Sequence, residues 1–228
     1  NPIWSFTVVG RPPQEDTSFG ALIHEITGSA IPQQINGLHA VHAVDAAGVH
    51  PLLFAIGSER YTPYQISDRP QEILTIANQI LGTNQLSLAK YLFITAYADN
   101  PQSDIHDVAG YLMHVLERID LRRDIHFITN TTIDTLDYSG DGLNAGSKVT
   151  FAAAGKKKRT LCAEIPQALH IPGPFNQAKM ALPGVLVVDG KSFTSYAEEK
   201  VTIANWCAEA LQQDWEGIQL IVLADDAG

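Results

Sequence analysis

Lys90-Tyr-Leu-Phe-Ile-Thr95 is the stretch on which the fold turns. It is nearly continuous in apolar, aromatic and β-branched residues, the pattern of a strand buried on both faces, and such strands sit in parallel sheets covered by helices. Arg69-Pro70 opens a helix before it, with Ile73, Leu74, Ala77, Ile80 and Leu81 as the apolar stripe and Gly82 as the stop. After it, Asp104 is the expected cap of a helix carrying Val108, Tyr111, Leu112, Val115 and Leu116, and Ile125-His-Phe-Ile-Thr129 is the next strand. This strand–helix–strand alternation predicts a parallel unit with a right-handed crossover. Upstream, Leu38–Val44 and Leu52–Ile56 read as two strands joined by an Ala-Ala-Gly turn. The expected fold class is α/β: a mixed, largely parallel sheet with helices on both faces.

The two ends add to this plan. Ile3 to Val9 reads as a strand that Gly10-Arg-Pro-Pro13 terminates, since proline cannot join a central ladder. Asp16 or Thr17 then caps a helix running to about Ile26, with Gly28 as its stop. Residue 1 already stands inside a strand that has no lead-in, so the expectation is a piece of a longer protein. Downstream, a turn-rich stretch from Tyr138 leads to a strand at Val149–Ala153, and Lys156-Lys-Lys-Arg159 reads as a solvated hairpin tip. Pro166 to Pro174 is a connector, followed by strand Gly184–Val188, helix Thr194–Gln212 and strand Ile218–Leu223. That last strand, continuing into Ala-Asp-Asp-Ala227, resembles Leu92 to Asp99, a weak sign of duplication. The expected division is 1–16 as the end of one domain and a linker, 17–165 as an α/β domain, and 166–228 as a partial second α/β segment.

Composition excludes several classes. The 228 residues carry a net charge of −10, which argues against a binder of nucleic-acid backbone. No apolar stretch approaches the ~18 residues of a membrane span, and no signal peptide is recognisable. The only cysteines, Cys162 and Cys207, lack metal-type pairing and read as ordinary thiols of a reducing cytoplasm.

No sharp catalytic motif occurs. Gly140-Asp-Gly-Leu-Asn-Ala-Gly146-Ser-Lys148 has neither dinucleotide-binding nor P-loop spacing, and a strand follows it, so it reads as a flexible turn. His39, His42 and His50 could suggest a metal, but strand positions three apart face opposite ways. Histidines facing solvent or a contact between protomers are expected instead. Arg11 and Glu15-Asp16 stand in a proline-rich loop that could line a cleft, although Asp16 also serves as a cap. Lys90 stands out, because lysine is rare at the mouth of a buried strand. It either snorkels to water or offers a point charge to a phosphate or carboxylate at the sheet edge.

Asn-Pro-Ile-Trp-Ser-Phe-Thr-Val-Val-Gly-Arg-Pro-Pro-Gln-Glu-Asp16, the segment Gly37 to Tyr61, the run Leu88 to Asp99, the stretch Asp124 to Gly140 and Gly146-Ser-Lys148 resemble, in order and spacing, the UbiD-type decarboxylases. The resemblance covers about Asn1 to Lys158. It implies that the first strand ends a flavin-binding split-barrel domain and that the rest is the family's C-terminal domain. It implies a carboxy-lyase using prenylated FMN, with a divalent metal and potassium, on an aromatic or unsaturated carboxylic acid, for example a polyprenyl-hydroxybenzoate in quinone biosynthesis. By the same resemblance the catalytic arginine and glutamates lie upstream of Asn1, so no catalytic or metal residue is expected in this chain, and the piece alone is expected to be inactive and to hold no flavin. Lys90 matches a lysine that approaches the cofactor phosphate. Val9 and Asp16 match positions on the wall of the flavin and substrate pocket. Self-association and a cytoplasmic location are also implied. Two departures stand out: the acidic cluster after the lysine strand is reduced to Asp99, and Ala152-Ala-Ala154 replaces Asp-Ala-Thr. They leave open a second reading, a structural or oligomerisation module with degenerated pocket residues.

Overall fold

The computed structural model describes residues 30–44, 51–59, 68–135, 142, 144–175, 177–189 and 195–224. The chain divides after Lys157 into two compact units. The first holds β1 (Leu38–Ala43), β2 (Leu52–Gly57), α1 (Glu72–Leu81), β3 (Tyr91–Ala96), α2 (Val108–Arg118), β4 (Ile125–Thr131) and β5 (Gly146–Ala153). The second holds β6 (Gln177–Leu182), β7 (Val185–Asp189), α3 (Tyr196–Ala210) and β8 (Leu220–Ala224).

The first unit is a five-stranded sheet in the order β1-β2-β3-β5-β4, its three central strands parallel and both edge strands antiparallel. Side-chain alternation assigns the two faces. Leu53, Ala55, Leu92, Ile94, Ala152 and Ala154 pack against Ile73, Ile76, Ala77 and Ile80 of α1. Phe54, Ile56, Phe93, Phe151 and Ala153 pack on the opposite face with Tyr111 and Val115 of α2, and with Ile119 beyond it. There the rings of Phe54 and Tyr111 stack at 4.4 Å, as do those of Phe93 and Phe151. The buried Tyr111 hydroxyl shares its proton between the carbonyls of Ala55 (2.5 Å) and Phe93 (3.0 Å), tying α2 to two strands at once. The α/β class with helices on both faces, read from the Lys90 run, is the observed one.

Three local expectations change. β4 does not form a parallel unit with β3; it returns antiparallel to β5 at the sheet edge. Its sequence explains this: Phe127 and Ile128 are each 38% exposed, and Thr129 and Asn130 are polar and exposed, so the strand suits a wet edge rather than a doubly covered position. The cap of α2 is Asp107, whose carboxylate accepts from the Gly110 amide at 3.0 Å, whereas Asp104 accepts from His106 in a preceding turn. Lys156–Arg159 is not a hairpin tip, because no strand pairs back onto β5 there; the segment leads out of the first unit.

The second unit repeats the alternation on a smaller scale. β7 and β8 are parallel, and β6 joins β7 antiparallel through Pro183-Gly184, where Gly184 takes φ +80 with the Leu161 side chain beside it. β6 went unread in the sequence, although its exposure alternates strictly, because Gln-Ala-Lys-Met-Ala-Leu lacks strand-forming residues. Ser195 caps α3, and Trp206 on that helix donates its ring N–H to the Pro172 carbonyl at 3.0 Å. Both cysteines are free and half-buried, the Cys162 thiol donating to the Glu216 carbonyl. Among the described residues no helix is long and apolar enough to cross a membrane.

Candidate functional site

Lys90 immediately precedes β3 and is fixed by both neighbouring strands. Its amide donates to the Pro51 carbonyl at 3.2 Å, and its carbonyl accepts from the Val149 amide at 2.9 Å. Only 8% of the residue is exposed. In the parallel register Tyr91 lies beside Val149, so Lys90 stands one step earlier beside Lys148, which is 3% exposed. The alternation that puts Ala152 and Ala154 under α1 places Lys148 and Thr150 on the same face. Thr150, 5% exposed, is flanked in register by Leu92 on one side and His126 on the other.

The electrostatics of this patch are unusual. The Lys148 ammonium donates to the Ser87 carbonyl, and burial pushes its pKa down from the ordinary lysine value. The Nε2 atom of His126 is buried and makes no hydrogen bond. A polar atom left in that condition costs about 1–3 kcal/mol. Two buried lysines, a buried threonine and an orphaned ring nitrogen thus occupy one face of three adjacent strands at the amino ends of the parallel core. That arrangement suits a small anion.

The opposite edge of the sheet, where open parallel sheets usually bind ligands, is organised differently. Glu59 follows β2 and accepts from the amides of Gln71 (2.6 Å), Glu72 (3.1 Å) and Ile73 (2.9 Å), capping α1 from a distance in sequence. Burial pushes its pKa up, and the three amide bonds oppose that shift. Asp99 accepts from the Gly155 amide at 2.7 Å, and Arg118 donates to the Gly155 carbonyl at 3.1 Å. Gly155 itself has φ +91, and a Cβ there would meet the Asp68 backbone at 2.9 Å. Arg118 also meets Glu117, which Lys157 reaches at 2.7 Å. Beside them His114 is buried, which lowers its pKa to about 4, with the Arg118 charge acting in the same direction. These charged groups hold backbone and helix ends together.

Of the sequence-predicted site residues, Lys90 lies in the buried patch, whereas Val9 and Asp16 lie outside the described residues. His39 is exposed, stacks on Tyr97 at 4.2 Å and lies 3.0 Å from the Ser58 hydroxyl; His42 meets His106 edge-on. His50 lies outside the described residues. Among the described residues no three His, Cys, Asp or Glu side chains gather as a metal site. Lys148, Thr150 and His126 escaped the sequence reading because Lys148 closes a turn-rich stretch. The available signal was a lysine running directly into Val-Thr-Phe-Ala-Ala, a strand of otherwise buried residues.

The family model for the 3-octaprenyl-4-hydroxybenzoate carboxy-lyase C-terminal domain matches residues 17–153. The chain belongs to this UbiD C-terminal-domain family. It is 38% identical over 224 residues to a protein of Chlamydia trachomatis, covering 98% of this chain and 35% of that one. It is 36% identical over 159 residues to a Chlamydia pneumoniae protein whose name makes it part of a 4-hydroxybenzoate decarboxylase, covering 70% of this chain and 25% of that protein. The chain thus spans about a third or less of the length of these curated relatives. Among solved structures, the UbiD-class enzyme HmfF from Pelotomaculum thermopropionicum in complex with FMN aligns with a TM-score of 0.47 and 13% identity, over 82% of this chain and 33% of that one. Within this UbiD domain, the departures at Ala152 and Ala154 are completely buried, and Asp99 is bound to backbone.

Proposed function

We propose that this UbiD domain is the C-terminal part of a carboxy-lyase that removes or adds a carboxylate on an aromatic or unsaturated acid, a polyprenyl-hydroxybenzoate of quinone biosynthesis being one such acid. Lys90 holds the phosphate of a prenylated flavin mononucleotide, and the Val9–Asp16 turn forms part of the pocket wall. The observation that carries this reading is a lysine buried at the amino edge of the parallel core in a domain of this family. The residues fit the group: Lys90 offers a compact point charge of the kind that binds phosphate, and Lys148 stands beside it in the register. The bound flavin supplies the electron sink of the reaction. Lys90 anchors and orients it at the end remote from that chemistry.

The catalytic arginine and glutamates, with the divalent metal and potassium, belong in this reading to residues upstream of Asn1. The 228-residue chain alone is therefore inactive and retains no flavin. The protein acts in the cytoplasm and self-associates.

The test is flavin binding by the full-length protein. Lys90→Ala weakens FMN by about tenfold or more, as expected for losing one partner of a buried charged contact, and turnover falls with it. A second reading, a structural or oligomerisation module, is favoured by the Asp99 and Ala152 departures. Unchanged FMN affinity and turnover in Lys90→Ala would favour it instead.

A further inference from the structure

We propose that the second unit is a structural repeat of the first, and that its face of Val187, Leu220 and Val222 is the seat of a helix from the rest of the full-length protein. The second unit lies beyond the residues 17–153 that the family model matches. In both units an antiparallel pair (β1-β2, β6-β7) is followed by a helix (α1, α3) and by a strand parallel to the second of the pair (β3, β8). The match holds at single residues. The Pro51 carbonyl, just before β2, accepts from the amides of both Lys90 and Tyr91, and the Gly184 carbonyl, just before β7, accepts from those of both Gln219 and Leu220. Leu52 lies beside Tyr91 in the register, and Val185 beside Leu220. Gln219 therefore stands in the place of Lys90, so the repeat copies the architecture without the charge. The faces agree as well: Leu53, Ala55, Leu92 and Ile94 pack with α1, and their counterparts Leu186, Val188, Ile221 and Leu223 cluster with Trp206 and Ala210 of α3. The sequence likeness that aligns Leu92 with Leu220 is one residue out of this register.

The two units part company on the other face. In the first, Phe54 and Phe93 are 0% and 8% exposed, because α2, the helix after β3, lies over them. Their counterparts are Val187 and Val222, with Leu220 in the place of Tyr91. Val222 is 40% exposed, and Val187 and Leu220 are half-buried. A parallel pair is ordinarily covered on both sides, and Val185-Leu-Val-Val188 and Leu220-Ile-Val-Leu-Ala224 are apolar on both. Among the described residues α3 is the one helix on this sheet, and β8 is its edge strand. The first unit specifies what belongs on the open face: a helix with an apolar stripe, carried by the same polypeptide, as α2 is. The family provides the length for it, since this chain spans 35% of its Chlamydia trachomatis relative. A second copy of the chain seated on the same face is the competing outcome of the test.

The experiment measures thiol modification in two variants of the full-length protein, Val222→Cys and Val201→Cys. Each is read from the mass of the peptide that carries the new cysteine, so Cys162 and Cys207 do not interfere. Val201 lies on α3 and is 60% exposed, which makes it the reference for an open position. A helix over the sheet should slow Val222→Cys about tenfold or more relative to Val201→Cys, because reaction then waits for a local opening. That protection should be independent of protein concentration. Val222→Asp should lower the melting temperature of the full-length protein by several degrees, as expected for a carboxylate forced under a packed helix, while Val201→Asp leaves it nearly unchanged. Similar rates at the two cysteines, or equal small effects of the two aspartates, would show an open face and overturn the proposal. Protection at Val222→Cys that is lost on dilution, or oxidation of that variant to a covalent dimer, would put a second copy in the seat and overturn it as well.

Discussion

The two ends of the central parallel strands are furnished with different charged groups among the described residues, mostly carboxylates and an arginine closing on backbone at one end and two buried lysines at the other. At the carboxyl ends, Glu59, Asp99 and Arg118 each close on backbone amides or carbonyls, joining β2 to α1 and the ends of β3 and β5 to each other and to α2. At the amino ends, Lys90 and Lys148 are held under the α1 face, with Thr150 and the unpartnered His126 ring nitrogen beside them. A charge that terminates a backbone segment is architecture, and its removal is felt in stability. On the reading proposed above, Lys90 at the amino ends acts in binding, and its removal is felt in affinity.

The sharpest way to break this contrast is at the carboxyl edge. Gly155→Ala forces a side chain onto a φ of +91 and into the Asp68 backbone, so a loss of about 3 kcal/mol is expected in urea unfolding. FMN affinity in protein that remains folded should not change. Asp99→Ala removes a charge-assisted bond to Gly155 and should cost about 1–2 kcal/mol, again without moving flavin binding. An FMN defect in either variant would erase the division between the two edges.

His114 gives a pH signature of the carboxyl edge. Its folded pKa of about 4 lies below the free-histidine value of 6.5, so the folded state binds fewer protons than the unfolded state. Stability from this group is complete above pH 6.5 and is lost as pH falls towards 4. Melting temperatures across that interval should drop in the wild type and less in His114→Gln. Groups that could modify the effect are Arg118, Glu117 and Lys157, all facing the same ring. The smallest expected effect is at the amino edge without ligand, where Lys148→Met should change the melting temperature little or raise it.

Much of this was legible in the sequence. The Lys90–Thr95 run announced a doubly covered strand, and α1 buries Ile73, Ala77 and Ile80 of the stripe read from its spacing, together with the unread Ile76, while Leu74 and Leu81 are partly buried and Gly82 stands at its end. Strand direction was less legible. Nothing local in Ile125–Thr129 says which neighbour it will pair with; that depends on the exposed Phe127 and Ile128 finding an edge. The cap of α2 was misread because both Asp104 and Asp107 suit a helix start, and only the distance to the Gly110 amide decides between them. The buried polar patch was the least legible part. Lys90, Lys148 and His126 are far apart along the chain and meet only through the register of three strands.

The most direct test of the account is the ratio of FMN to riboflavin affinity in the full-length protein, compared between Lys90→Ala and Asp99→Ala. The account predicts a fall in that ratio of about tenfold for Lys90→Ala and no change for Asp99→Ala. An unchanged ratio in Lys90→Ala, or an equal fall in both variants, would contradict it.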